Sequence, residues 1–197
     1  MTRTAPLLLG LLFGVQTALI AQAPRSLDDL VDRRGVYLDA ETLEAHTGPV
    51  VAMWDAVNVR VRGTLQNGRW DGVLERFYLD GKLEVKETYR NGVLHGPFAS
   101  YFRTGRPSDR GTYAEGRLQG AYEAFWSRTQ GDIHAAHGAG HTGMDMDMEM
   151  AAGDLMERGT MVDGRPCGEW YRFLPRNSQG LRTGGTVMYP ACPAGSP

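Results

Sequence analysis

Apolar residues in this chain return on a stride of 24, and glycine marks each return at Gly48, Gly72, Gly96 and Gly120, then at Gly168 after a double step. Two residues after each mark stand Val50, Leu74, Phe98, Tyr122 and Trp170. Five after it come Met53, Phe77, Tyr101, Phe125 and Phe173, and six after it Trp54, Tyr78, Phe102, Trp126 and Leu174. On a return limb Leu65, Tyr89, Tyr113 and Met161 align, as do Trp70, Leu94 and Leu118. Aromatic and β-branched residues bounded by glycine predict strands, and two short limbs per stride predict a hairpin. The turns are Asn67-Gly68 and Asn91-Gly92, echoed by Glu115-Gly116 and Asp163-Gly164. Asn-Gly is the strongest short-range hairpin signal because both turn positions take positive φ. Asp80-Gly81 and Thr104-Gly105 supply the opposite turns. No helix fits, since glycine interrupts every window of helical length.

A period of this size identifies a repeat architecture. The fold class that follows is all-β: one elongated, twisted antiparallel sheet of stacked hairpins, about ten strands, each repeat leaning on its neighbours. Side chains alternate across a strand, so the second and sixth positions share one face and the fifth takes the other. Phe77, Tyr78, Tyr101, Phe102, Phe125 and Trp126 are therefore candidates for an aromatic docking surface, the kind of patch protein partners use.

The stretch 89–102, Y-R-N-G-V-L-H-G-P-F-A-S-Y-F, and the stretch 111–125, G-T-Y-A-E-G-R-L-Q-G-A-Y-E-A-F, resemble the MORN repeat family. The likeness is to the variant form found in bacterial exported proteins labelled YwqK-like antitoxins. Partial echoes occur at 63–72 and 159–170, so the resemblance covers roughly residues 35–128 and 155–190. It implies a scaffold that binds varied partners and names no reaction. The first repeat departs from the pattern, with Asp55-Ala56-Val57-Asn58 where a turn glycine is expected, and the last runs into a Gly/Pro tail.

The flanking segments set the context. Arg3, an apolar run over 7–15 and Ala21-Gln22-Ala23 have the pattern of a secretory signal peptide over residues 1–23, cut after Ala21 or Ala23. An exported, periplasmic or secreted protein is the expectation, with no membrane span after cleavage. Residues 24–47 are a lead-in, with a helix-like fragment capped by Ser26 and a short strand at Arg34-Gly35-Val36-Tyr37. Repeats occupy 48–128 and 154–190, and 191–197 form a tail. Cys167 and Cys192 are expected to pair in an oxidising compartment. Their equivalent places in successive repeats would lie two strands apart, too far for a bridge, unless the chain leaves the sheet at Pro190 and folds back.

The fourth repeat takes twice its share of residues, so an insert at 129–153 is expected at a hairpin tip. It carries His134, His137 and His141, then Met144, Met146, Met148 and Met150 alternating with acids. Imidazole and thioether suit copper, which makes these residues candidate soft-metal ligands; the alternative is a low-complexity solvated loop. A copper-binding function is accordingly the second expectation, and otherwise no cofactor is implied.

Net charge is −2, with arginines scattered one or two per repeat, which gives no footprint for nucleic acid. There is no phosphate-binding loop, no H-E-x-x-H and no G-x-S-x-G. His95 stands where other repeats have Asp71, Gln119 and Cys167, and so reads as a turn-flanking residue; His46 stands alone in the lead-in. Glu84/Glu87 and Asp109/Glu115 read as sheet charges. The expectation is a non-enzymatic interaction scaffold for a protein or glycan.

Overall fold

Strands of six and eight residues alternate along the chain in the computed structural model, which describes residues 23–126, 155–176 and 182–196. The lead-in supplies β1 (Arg25–Ser26), β2 (Leu30–Asp32) and β3 (Tyr37–Asp39). The first repeat forms β4 (Gly48–Met53), β5 (Val59–Gln66) and the two-residue β6 (Arg69–Trp70). The second forms β7 (Gly72–Phe77), β8 (Leu83–Arg90) and β9 (Val93–Leu94), and the third β10 (Gly96–Tyr101), β11 (Pro107–Ala114) and β12 (Arg117–Leu118). Then come β13 (Gly120–Phe125), β14 (Leu155–Val162), β15 (Arg165–Arg176) and β16 (Arg182–Met188).

Apart from a parallel β1–β4 contact, neighbours pair antiparallel in chain order from β4 to β16, as serial hairpins require. The described sheet has 14 strands, more than the ten expected, because β1 of the lead-in joins its edge and β6, β9 and β12 each fold back onto the strand before them. Asn67, Asn91, Glu115 and Asp163 have φ of about 50°, and the glycine after each is also positive, which turns the chain within two residues. At the opposite end, each return strand carries a bulge: Ala52 faces Val61 but Met53 faces Val59, and the shift recurs at Phe77, Tyr101 and Phe125. Where the first repeat lacks a glycine, the Asp55 carboxylate accepts from the backbone N–H of Val57 (3.0 Å) and Asn58 (2.9 Å) and closes the turn instead.

One face of the sheet holds the core. Val50, Leu74, Phe98, Tyr122 and Trp170, all at the second position, are buried, as are Ala52 and Ala124 at the fourth. Trp70 packs against Val50 and Leu65, while Leu118 packs with Phe98, Tyr122 and Trp170. The fold-back strands thus cover the strands they came from. Gly63, Gly111 and Gly159 lie opposite these rings; a Cβ at Gly159 would sit 2.3 Å from Trp170 ring atoms. The lead-in closes the first end. Leu27, Leu30 and Tyr37 join the Val50–Leu65–Trp70 cluster, and the Tyr37 N–H donates to the Gly68 carbonyl at 2.7 Å.

Ser26 caps a 3-10 turn, Leu27–Asp29, as its sequence suggests, accepting from the Asp28 N–H. The short strand expected at 34–37 begins only at Tyr37, because Arg34 (φ 57°) and Gly35 (φ 80°) make the turn between β2 and β3. The expected insert falls outside the described residues. On either side of it β13 and β14 pair in the usual register, Phe125 facing Leu155 as Phe77 faces Leu83.

Cys167 and Cys192 form a disulfide with a Cα–Cα distance of 5.0 Å. The two-strand separation inferred from the repeat does not apply. Gly168 exchanges hydrogen bonds with Tyr189 and Pro190, further along the return limb than the Leu65 that faces Gly48. The last hairpin is longer than the others, so its returning chain reaches Cys167 directly.

Candidate functional site

The face opposite the core carries three tracks across the strands. Pairing places Val51, Arg62, Glu75, Lys86, Ala99, Arg110, Glu123, Arg158 and Tyr171 successively opposite one another, one residue per strand from β4 to β15. Alternation puts Thr64, Thr88, Thr112 and Thr160 on one side of this row. On the other side lie Phe77, Tyr101 and Phe125.

Charge and rings interlock along the middle track. The Arg62 guanidinium lies 4.9 Å from the Phe77 ring centroid and donates to Glu75 at 2.6 Å. Two repeats on, Arg110 lies 5.3 Å from the Phe125 ring and donates to Glu123, also at 2.6 Å. Arg158 lies 5.3 Å from the Tyr171 ring. Lys86 reaches Glu75 at 3.4 Å. Partial burial pushes the Glu75 carboxyl up, but the Arg62 hydrogen bond and charge, with Lys86, outweigh it and hold the pKa below the ordinary value. The third repeat breaks the alternation: Ala99 stands between Lys86 and Arg110 where Glu75 and Glu123 stand elsewhere.

The six aromatic candidates divide between the two faces. Phe77, Tyr101 and Phe125 are half-buried on the outer face. Tyr78 and Phe102, 8 % and 5 % exposed, belong to the core side and offer no surface, because the sixth position shares its face with the second. Trp126, also at the sixth position, is half-buried. The Tyr78 hydroxyl is spent on the Tyr101 carbonyl. The cation row escaped the sequence reading, which took the arginines as scattered. Positions 62, 86, 110 and 158 nevertheless fall on the same stride as the glycines, so the signal was present.

His134, His137, His141, Met144, Met146, Met148 and Met150 lie outside the described residues. Among the described residues no group of three or more His, Cys, Asp or Glu is placed to hold a metal ion. Of the groups considered for catalysis, His95, Glu87, Asp109 and Glu115 have structural partners. The backbone N–H of Asn67 donates to Thr47 Oγ1 (2.9 Å), that of Asn91 to Asp71 Oδ2 (2.9 Å), and that of Asp163 to Gln119 Oε1 (3.0 Å), so this position clips each following turn. His95 occupies it in the third repeat, its Nδ1 3.0 Å from Glu115 Oε1. Glu87 accepts from the Tyr89 hydroxyl and pairs with Arg76, and Asp109 accepts from Ser100 and Ser108. Among the described residues no helix is long and apolar enough to cross a membrane.

No protein-family model, curated protein or solved structure matches the chain.

Proposed function

We propose that this chain is a non-enzymatic scaffold of MORN-like repeats, exported to the bacterial envelope, that binds a protein or glycan through its outer sheet face. The observation carrying this reading is the outer face itself. Half-exposed rings at Phe77 and Phe125 are each held under a guanidinium, on a sheet whose opposite face carries the core. Such a surface offers apolar area and oriented donors together, the mixture found where proteins meet partners. The disulfide accords with an oxidising compartment, and so with export.

The test is binding to arrayed envelope glycans and envelope proteins, comparing the mature chain with Phe77→Ser/Phe125→Ser. Ligands retained by the parent and lost by a variant of unchanged fold support the reading. Equal retention by both, or no ligand for either, refutes it.

A further inference from the structure

In the middle of the outer face two cations flank one uncharged residue. Glu75 sits between Arg62 and Lys86, and Glu123 between Arg110 and Arg158, so each carboxylate is flanked by two cations. Ala99 takes the corresponding place between Lys86 and Arg110 and brings no charge. The backbone positions of Lys86 and Arg110 stand roughly 9–10 Å apart, two strand spacings, with Lys86 reaching Glu75 on its far side and Arg110 reaching Glu123 on its own. Both are about half exposed, at 50 % and 57 %. Tyr101 lies two residues beyond Ala99 on the same face; on the other side Thr112 faces Pro97, and the Thr88 hydroxyl donates to the Pro97 carbonyl at 2.9 Å.

We propose that this face is a docking track for a linear acidic polysaccharide, a carboxylate of which sits over Ala99 between Lys86 and Arg110. This deepens the scaffold reading above and rests on it. Charge complementarity selects an anion, because the track holds four cations against two carboxylates. Regularity selects a polymer. The cations recur every second strand, a spacing comparable to a disaccharide of an extended pyranose chain, whereas a folded protein presents charges without a period. The hydroxyls of Thr64, Thr112 and Thr160 suit sugar hydroxyls, that of Thr88 being held by the Pro97 carbonyl, and the Tyr101 ring offers an apolar edge for a pyranose. An open depression of about 440 Å³ lies at the first end, with Arg62, Thr64, Val73 and Lys86 in its wall, and another of about 360 Å³ lies between Tyr171 and Thr186 at the far end.

The test is binding of polygalacturonate by calorimetry, with a neutral glucan of similar length, polyphosphate and single-stranded DNA as comparators. The expected result is polygalacturonate binding that weakens as salt rises, with no binding of the neutral glucan. Ala99→Glu is the decisive variant. It completes the alternation already present at Glu75 and Glu123, so it keeps the fold, and it should weaken binding tenfold or more. Lys86→Gln/Arg110→Gln should do the same. Failure of the parent to bind polygalacturonate, or Ala99→Glu binding as the parent does, overturns the proposal. Equal affinity for polyphosphate or DNA replaces the glycan with unspecific polyanion binding and overturns it too. Capture of a neutral glycan or a protein that depends on Phe77 and Phe125 but not on Ala99 leaves the scaffold standing and removes only the acidic-glycan assignment.

Discussion

The hydroxyl of Tyr78 donates to the backbone carbonyl of Tyr101 at 2.8 Å, and one repeat earlier Trp54 Nε1 donates to the carbonyl of Phe77 at 2.9 Å. The sixth position of one repeat thus binds the fifth position of the next, a tie between neighbours that Phe102 cannot make. Tyr78→Phe keeps the ring in place and removes this bond. Its expected cost is about 1 kcal/mol, read as a lower urea midpoint at unchanged slope. A change near zero would show that the bond to Tyr101 contributes nothing net.

Gly159 faces the ring of Trp170, which is only 2 % exposed and cannot move aside. Gly159→Ala puts a methyl group into that ring and should cost roughly 1–3 kcal/mol or more. Gly185→Ala is the control, since a Cβ there meets nothing within 4 Å. Its stability should stay within about 0.5 kcal/mol of the parent. Equal effects of the two substitutions would remove the close-approach account.

These glycines show how far the sequence could be read. The turn glycines announce themselves, because Asn-Gly implies positive φ and the stride implies stacking. The sheet, its pairing order and its turns follow from that local chemistry. Gly63, Gly111 and Gly159 were visible only as register marks, since their purpose depends on a ring arriving from another strand. The bulge and the longer last hairpin were also hidden. Each changes the pairing by a few residues without altering the apolar pattern, and the second decides whether Cys167 meets Cys192. Sorting six aromatic residues between two faces needed only alternation, yet the sequence cannot say which face carries the core. The fold-back of Trp70 and Leu118 onto the core clusters determines that.

Alkaline pH should weaken the fold through its tyrosines. Burial, and then the Glu87 carboxylate, push the Tyr89 hydroxyl from 10.0 up to about 12. Burial also raises Tyr113 and Tyr122. The unfolded chain therefore ionises first, and stability present below pH 10 is lost as pH rises towards about 12. Urea unfolding followed across that window should show a steady fall, and Tyr89→Phe should make it shallower. An identical slope in the variant would mean that Tyr89 takes no part.

The disulfide should act locally. Cys167 and Cys192 are 25 residues apart, a loop for which chain entropy predicts about 3–4 kcal/mol. In a repeat array each hairpin depends mainly on its neighbours, so the loss need not spread. Cys167→Ala/Cys192→Ala should raise amide hydrogen exchange in β15 and β16, where Tyr189 and Pro190 are held beside Gly168. Protection in β7 and β8, several strands away, should stay as in the parent. Mass spectrometry of peptic fragments distinguishes the outcomes. A uniform loss across all strands would show that the sheet unfolds as one cooperative unit, contrary to stability that sums along the stack.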